Sequence, residues 1–75
     1  MEKRAYTFGA IAKTESGNYE YCSQVGTYIV NTNDIKDAVL EIAKVLHRAP
    51  CDIFIDAVND EYFKIPVGLY GELDI

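Results

Sequence analysis

The sequence predicts an α+β fold, with a single antiparallel sheet of four or five strands and one amphipathic helix packed on one face. Three observations support this prediction. Apolar residues recur at helical spacing in the middle of the chain, the segments on either side alternate like strands, and short turns join those strands in pairs. The element order is β-β-α-β-β, with a further short strand as one option at the C-terminus. The 75 residues are expected to form a single domain, 1–75, near the lower size limit for an unaided core.

The first two strands are expected to form an antiparallel hairpin. Residues 3–12 alternate in polarity and residues 19–30 are rich in β-forming side chains, while the short segment 13–18 between them has turn-forming residues. Gly26 can introduce a bulge or a break into the second strand. Both faces of this hairpin are partly apolar, so the pattern leaves open which face the helix covers.

The helix is predicted over residues 33–49. Its apolar side chains cover an arc of about 160°, which is wide enough to lie flat on a sheet. They are Ile35, Ala38, Val39, Ile42, Ala43, Val45, Leu46 and Ala49. Thr32 or Asn33 can cap the start of the helix, and Pro50 stops it just beyond its end. Leu40 lies on the polar side, where it is a minor candidate for contact with another molecule.

Residues 51–58 and 61–67 are predicted to form a second hairpin around the tight turn Asn59–Asp60. The residues expected to face the helix are Cys51, Ile53, Ile55, Ala57, Phe63, Ile65 and Val67. Those expected on the opposite side are Asp52, Phe54, Asp56, Tyr62 and Lys64. Pro66 cannot donate to a ladder, which places it at a sheet edge or a strand end. Residues 69–75 form either a short fifth strand or a loose tail, and their alternation favours the strand.

Charge and cysteine content narrow the classes of function. The formal net charge is −5, and the last third, from residue 51, holds six acids against one lysine. This balance argues against direct binding to nucleic acid or an anionic membrane, because such affinity comes from Lys and Arg. Neither a signal peptide nor a membrane-length apolar run is present, so a cytoplasmic location is expected. In that reducing compartment Cys22 and Cys51 are expected as small buried hydrophobes, with a disulfide between them as the alternative.

No residue pattern supports catalysis, a cofactor or a metal. His47 and Cys51 flank the helix end, but a thiol–imidazole pair also needs an orienting group and an oxyanion site. Asp52 and Asp56 would stand about 13 Å apart on one strand, beyond the spacing of a glycosidase pair. Two cysteines and one histidine do not complete a tetrahedral metal site, and no phosphate loop or dinucleotide fingerprint occurs. The prediction is a non-enzymatic protein.

The candidate partner-binding residues interleave carboxylates with aromatic rings in the last strands. They are Asp52, Phe54, Asp56, Asp60, Glu61, Tyr62, Tyr70, Glu72 and Asp74. In this hypothesis the rings anchor a basic protein partner, and the acids steer it and set its register. The face of the sheet that carries them has no cover within the chain.

The function that this pattern favours is an acidic protein-binding module. Such a module would inhibit or regulate a larger protein by occupying its basic, nucleic-acid-binding surface, as small phage anti-defence proteins of the anti-CRISPR kind do. The alternative hypothesis is a homodimeric or larger assembly subunit that pairs through its open sheet face. A small-ligand enzyme built across such a dimer is the third hypothesis.

Overall fold

The structure, a computed structural model, describes residues 3–73 as two layers, one sheet and one helix. In chain order the elements are β1 (Arg4–Lys13), β2 (Tyr19–Val30), α1 (Ile35–Leu46), β3 (Ile53–Val58), β4 (Glu61–Gly68) and β5 (Gly71–Glu72). The strands lie in the order β2-β1-β3-β4-β5, and every neighbouring pair is antiparallel. The predicted α+β class and element order are confirmed.

The hydrophobic core lies between α1 and the two central strands, β1 and β3. Its buried side chains are Tyr6, Phe8, Ala10, Ala38, Val39, Ile42, Ala43, Ile53 and Ile55. Burying each of the large ones contributes about 1.5–3 kcal/mol. The helix therefore covers the side of β1 that carries Tyr6, Phe8 and Ala10, and this answers the question that the hairpin pattern left open. The Tyr6 hydroxyl donates a 2.6 Å hydrogen bond to the Thr32 carbonyl, and burial raises the pKa of Tyr6.

The helix is shorter than predicted at both ends. Asp34 is the N-cap, and its carboxylate accepts the Lys36 backbone N–H at 2.9 Å. The predicted caps do not take this role, since the Thr32 hydroxyl accepts the Asp34 N–H instead. His47 ends the helix in the left-handed conformation, with φ 55°. The prediction that the last apolar positions are buried is wrong. Val45, Leu46 and Ala49 are exposed.

The second hairpin has the predicted turn but an irregular register. Asn59 and Asp60 both have positive φ, as a type I′ turn requires. Four residues of β4, 63–66, lie opposite a single residue of β3. Phe63 and Ile65 are consequently 36% and 47% exposed and do not belong to the core, although Phe63 lines a pocket on the α1 side with Tyr6 and Ile35. The regular alternation of side chains holds only in a regular ladder, and a strand containing proline cannot supply one there.

The sheet edge next to β4 is only partly paired. The short fifth strand expected in residues 69–75 is present as β5, which pairs only with Val67 and Gly68. The Leu73 N–H donates a 2.8 Å bond to the Pro66 carbonyl. Most of β4 is therefore an edge strand, in agreement with the position predicted for Pro66. Residues 74 and 75 of the expected strand lie outside the described residues.

Candidate protein-binding surface

The sheet face opposite α1, called the uncovered face below, carries the side chains that alternate with the core residues. Its residues follow from the strand register. They are Ala5, Thr7, Gly9, Ile11, Lys13, Tyr19, Tyr21, Thr27, Ile29, Phe54, Ala57, Tyr62 and Gly68. Ala57 was predicted on the helix side, but it lies on the uncovered face because of one extra residue in β3. Asp56 is an extra residue in β3, a β-bulge, and the residue after a bulge changes faces.

Two aromatic rings fill the centre of the uncovered face. Tyr21 and Phe54 meet edge to face, with centroids 6.0 Å apart and an interplanar angle of 88°. Both rings lie over glycines. A Cβ on Gly9 would collide with the Tyr21 hydroxyl and lie 2.5 Å from the Cys22 carbonyl oxygen, and one on Gly68 would lie 2.6 Å from the Phe54 ring. Phe54, which was expected as an exposed anchor, is thus half-buried in the chain's own packing.

A buried carboxylate lies beside these rings. Asp56 is only 4% exposed, and its carboxylate accepts the Tyr21 hydroxyl and, at 2.8 Å, the Gln24 backbone N–H. Gln24 occupies a bulge in β2 with φ 52°, opposite Gly9 of β1. Asp56, which was expected as an acid that steers a basic partner, is therefore not exposed to one. Burial raises the pKa of Tyr21, and its hydrogen bond to the neighbouring Asp56 carboxylate raises it further.

Exposed apolar side chains lie on both sides of this filled centre. Tyr62 on β4 is 56% exposed, and Ile29 on β2 is 62% exposed. Tyr19 on β2 and Val25 in its bulge are exposed as well. Lys13 adds a positive charge at one end of the face. The uncovered face therefore combines a rigid, hydrogen-bonded centre with an apolar, charge-poor surround.

The candidate partner-binding residues do not all lie together. Asp60 and Glu61 are exposed at the β3–β4 turn, immediately before Tyr62, but Glu61 pairs with Val58 and therefore lies on the α1 side of the sheet, so only Asp60 in the turn and Tyr62 lie at the edge of the uncovered face. Glu72 pairs with Val67, which places it on the α1 side of the sheet. The others lie elsewhere in the described chain or beyond it. Asp52 is in a 3₁₀ helix, Tyr70 is exposed in the β4–β5 turn, and Asp74 lies outside the described residues.

Sequence reasoning missed the contribution of β2 to this surface. Tyr19, Tyr21, Val25 and Ile29 alternate along one side of that strand, but the pattern did not indicate that this side faces away from the helix. The available signal was Gly9, because a glycine inside a strand marks the close approach of another group.

The reactive side chains of the described residues do not form a cluster. Cys22 and Cys51 are free and exposed, so their predicted burial is wrong; one lies on the edge strand β2 and the other in the 3₁₀ helix Pro50–Asp52. His47 is exposed at the helix end. Within residues 3–73, no group of three or more His, Cys, Asp or Glu side chains could hold a metal ion. No helix in the same range is long and apolar enough to cross a membrane.

Comparison with known proteins gives no relative from which a role can be transferred. No protein family, curated protein or solved structure matches this chain significantly.

Proposed function

We propose that this chain is a non-enzymatic protein-binding module that docks through its uncovered face on a basic surface of a larger protein. The observation that carries this proposal is the exposure of Tyr62, Ile29 and Tyr19 on a sheet face opposite the only long helix of residues 3–73. Specific interfaces commonly combine an apolar centre with a polar rim. The uncovered face with the Asp60–Glu61 turn beside it has this composition.

Tyr62 is the proposed anchor. Its register partner Ala57 is fully buried beneath the surface, so a partner would meet the tyrosine ring on a packed base. Tyrosine is enriched among the few residues that dominate binding energies, because it buries a large area at a low cost in conformational entropy.

The exposed acids of the β3–β4 turn are the reason that a basic partner is expected. Asp60 and Glu61 lie outside the apolar surface, where charges accelerate association more than they add affinity. With a net charge of −5, the chain favours a basic protein over nucleic acid itself. An inhibitor or regulator that covers a nucleic-acid-binding surface, in the manner of phage anti-defence proteins, has this chemistry.

The test compares Tyr62→Ala with Leu40→Ala. Both variants remove a large exposed side chain, but Leu40, 46% exposed, lies on α1 on the other side of the molecule. A partner is first captured from lysate with the wild-type chain and identified by mass spectrometry. Its affinity for each variant is then measured with purified proteins. We expect Tyr62→Ala to weaken binding by about tenfold or more and Leu40→Ala to leave it within about twofold.

Equal effects of the two variants, or a larger effect of Leu40→Ala, would contradict the assignment of the uncovered face. Thermal unfolding of both variants is the control, since Tyr62 contributes little buried area and its removal should leave the fold intact.

The second candidate function is a homo-oligomeric assembly subunit that pairs through the uncovered face. The charge-poor character of this face favours it, because two chains with net charge −5 could meet there with little like-charge repulsion. The effect of Tyr62→Ala on the mass measured by light scattering separates the two functions. Under this alternative the purified chain has at least twice the monomer mass, and Tyr62→Ala reduces it.

A further inference from the structure

The outer side of β2 is the longest unpaired edge in the described part of the chain. β2 contains twelve residues and has only β1 as a neighbour. In an antiparallel sheet, alternate residues of such a strand direct both their N–H and C=O groups away from the sheet. These groups can pair with a further strand, and natural proteins usually protect edges against such pairing.

Charged residues, proline and irregular register protect a strand edge against pairing. The β4 edge of the sheet has these features, and one end of β2 lacks them. Along β4 the unpaired stretch contains Glu61 and Lys64, ends at Pro66 and has an irregular register. Residues 25–30 of β2, called the edge segment below, have the sequence V-G-T-Y-I-V, with no charge and no proline. The bulge at residues 23–25 includes the first residue of this segment and separates the other five from Glu20, the only charged residue of the strand.

We propose that the edge segment pairs antiparallel with the edge segment of a second copy, about a two-fold axis perpendicular to the sheet. The two copies then share one continuous sheet, with both helices on one side. A two-fold contact is self-complementary, so Thr27 and Ile29 of each copy, which lie in the regular part of the strand, come together on the same face. Pairs of β-branched residues directly across neighbouring strands stabilise a sheet.

The charge distribution permits a second copy as the occupant. The net charge of −5 comes from residues 51–75, whose strands lie on the far side of β1 from β2, and the edge segment itself is neutral. Beside the edge segment, Val30 lines a groove together with Asp37, Glu41 and Lys44 of α1. The surface flanking the segment therefore has both negative and positive charges. A two-fold axis beside a flank of mixed sign does not force like charges together, as an entirely acidic flank would.

This pairing goes beyond the proposed function and does not depend on it. Edge pairing leaves Tyr62 free, because β1 and β3 lie between β4 and β2. The uncovered faces of the two copies become continuous, so the dimer presents twice the docking surface in one plane.

The first test measures the dissociation constant of the dimer by sedimentation equilibrium. Thr27→Lys places like charges close to the two-fold axis, and Ser16→Lys adds the same charge in the distant β1–β2 turn. We expect the wild-type chain and Ser16→Lys to dimerise alike, and Thr27→Lys to raise the dissociation constant by about tenfold or more. Tyr62→Ala should have no effect. Circular dichroism checks that every variant is folded.

The second test follows backbone amide exchange by nuclear magnetic resonance at low and high protein concentration. We expect alternate amides within residues 25–30 to become protected as concentration rises, since only hydrogen bonding along the edge protects them. A wild-type chain that stays monomeric at millimolar concentration would overturn the proposal. A dimer weakened by Tyr62→Ala and not by Thr27→Lys would also overturn it, and would assign the contact to the uncovered face.

Discussion

At the scale of single residues, Asp56 does the most to determine the shape of the uncovered face. Its carboxylate connects β3 to Tyr21 and Gln24 of β2, across the intervening β1. The Tyr21 hydroxyl reaches it because Gly9 has no side chain, since a Cβ there would collide with this hydroxyl. A buried carboxylate is costly unless it is hydrogen-bonded, and here two donors satisfy it. The network therefore fixes the centre of the face in a single arrangement.

We expect Asp56→Ala to lower the free energy of unfolding by about 2–4 kcal/mol, because the Tyr21 hydroxyl and the Gln24 N–H both lose their acceptor. Urea denaturation measures this change. Glu61→Ala removes an exposed carboxylate and is the control, with an expected effect within about 0.5 kcal/mol of wild type. Similar effects of the two substitutions would mean that the hydrogen bonds of Asp56 contribute little to stability.

The sequence predicted these residue positions only in part, and the reason is one extra residue. Alternation correctly placed Ile53 and Ile55 in the core and Phe54 and Asp56 on the opposite side. It could not show that Asp56 forms a bulge, which turns its carboxylate back over the sheet and moves Ala57 to the other face. Alternation also contains no information on whether a side chain on the outer face is itself covered by its neighbours.

At the scale of elements, prediction succeeded where local chemistry sets the boundary. β2 has the predicted limits, because the turn before it contains Gly17 with φ 88° and the Thr14 N–H bonds to the Asn18 carbonyl at 2.7 Å. The body of α1 follows its apolar periodicity. Its end could not be predicted from that periodicity, since apolar residues continue past the left-handed residue His47 that stops the helix.

β4 shows the limit of the same approach. The spacing of Phe63, Ile65 and Val67 is that of a strand with one buried side, but Phe63 and Ile65 are exposed and Val67 is only half-buried. The partner strand determines which alternate residues face inward, and β3 is too short to pair with every residue of β4. Register is a tertiary property that a single strand does not encode.

At the scale of the whole molecule, the fold distributes the negative charge that the sequence concentrates in its last third. Glu61 and Glu72 face the α1 side, Asp56 is buried, and Asp60 remains exposed in the β3–β4 turn. Steering of a basic partner is therefore expected to depend on the β3–β4 turn. Net charge alone would give every exposed acid an equal part in it.

Two double variants separate the effect of the acids in the β3–β4 turn from the effect of net charge. Asp60→Asn with Glu61→Gln, and Asp37→Asn with Glu41→Gln, each change the net charge from −5 to −3, but only the first pair lies beside Tyr62. We expect the first to slow association with the captured partner several-fold at low salt and the second to have a smaller effect, because screening limits charge interactions to about 10 Å at 0.1 M salt. Surface plasmon resonance measures both rates, and equal slowing would indicate that only net charge matters.

The central claim, that a partner covers the uncovered face, is tested most directly by site-specific photo-crosslinking in the complex. A photoreactive amino acid is placed at position 62 on the uncovered face or at position 40 on α1, and the complex is irradiated. We expect position 62 to crosslink to the partner and position 40 to remain uncrosslinked. Crosslinking from position 40 with none from position 62 would contradict the account, because the partner would then bind the helix side.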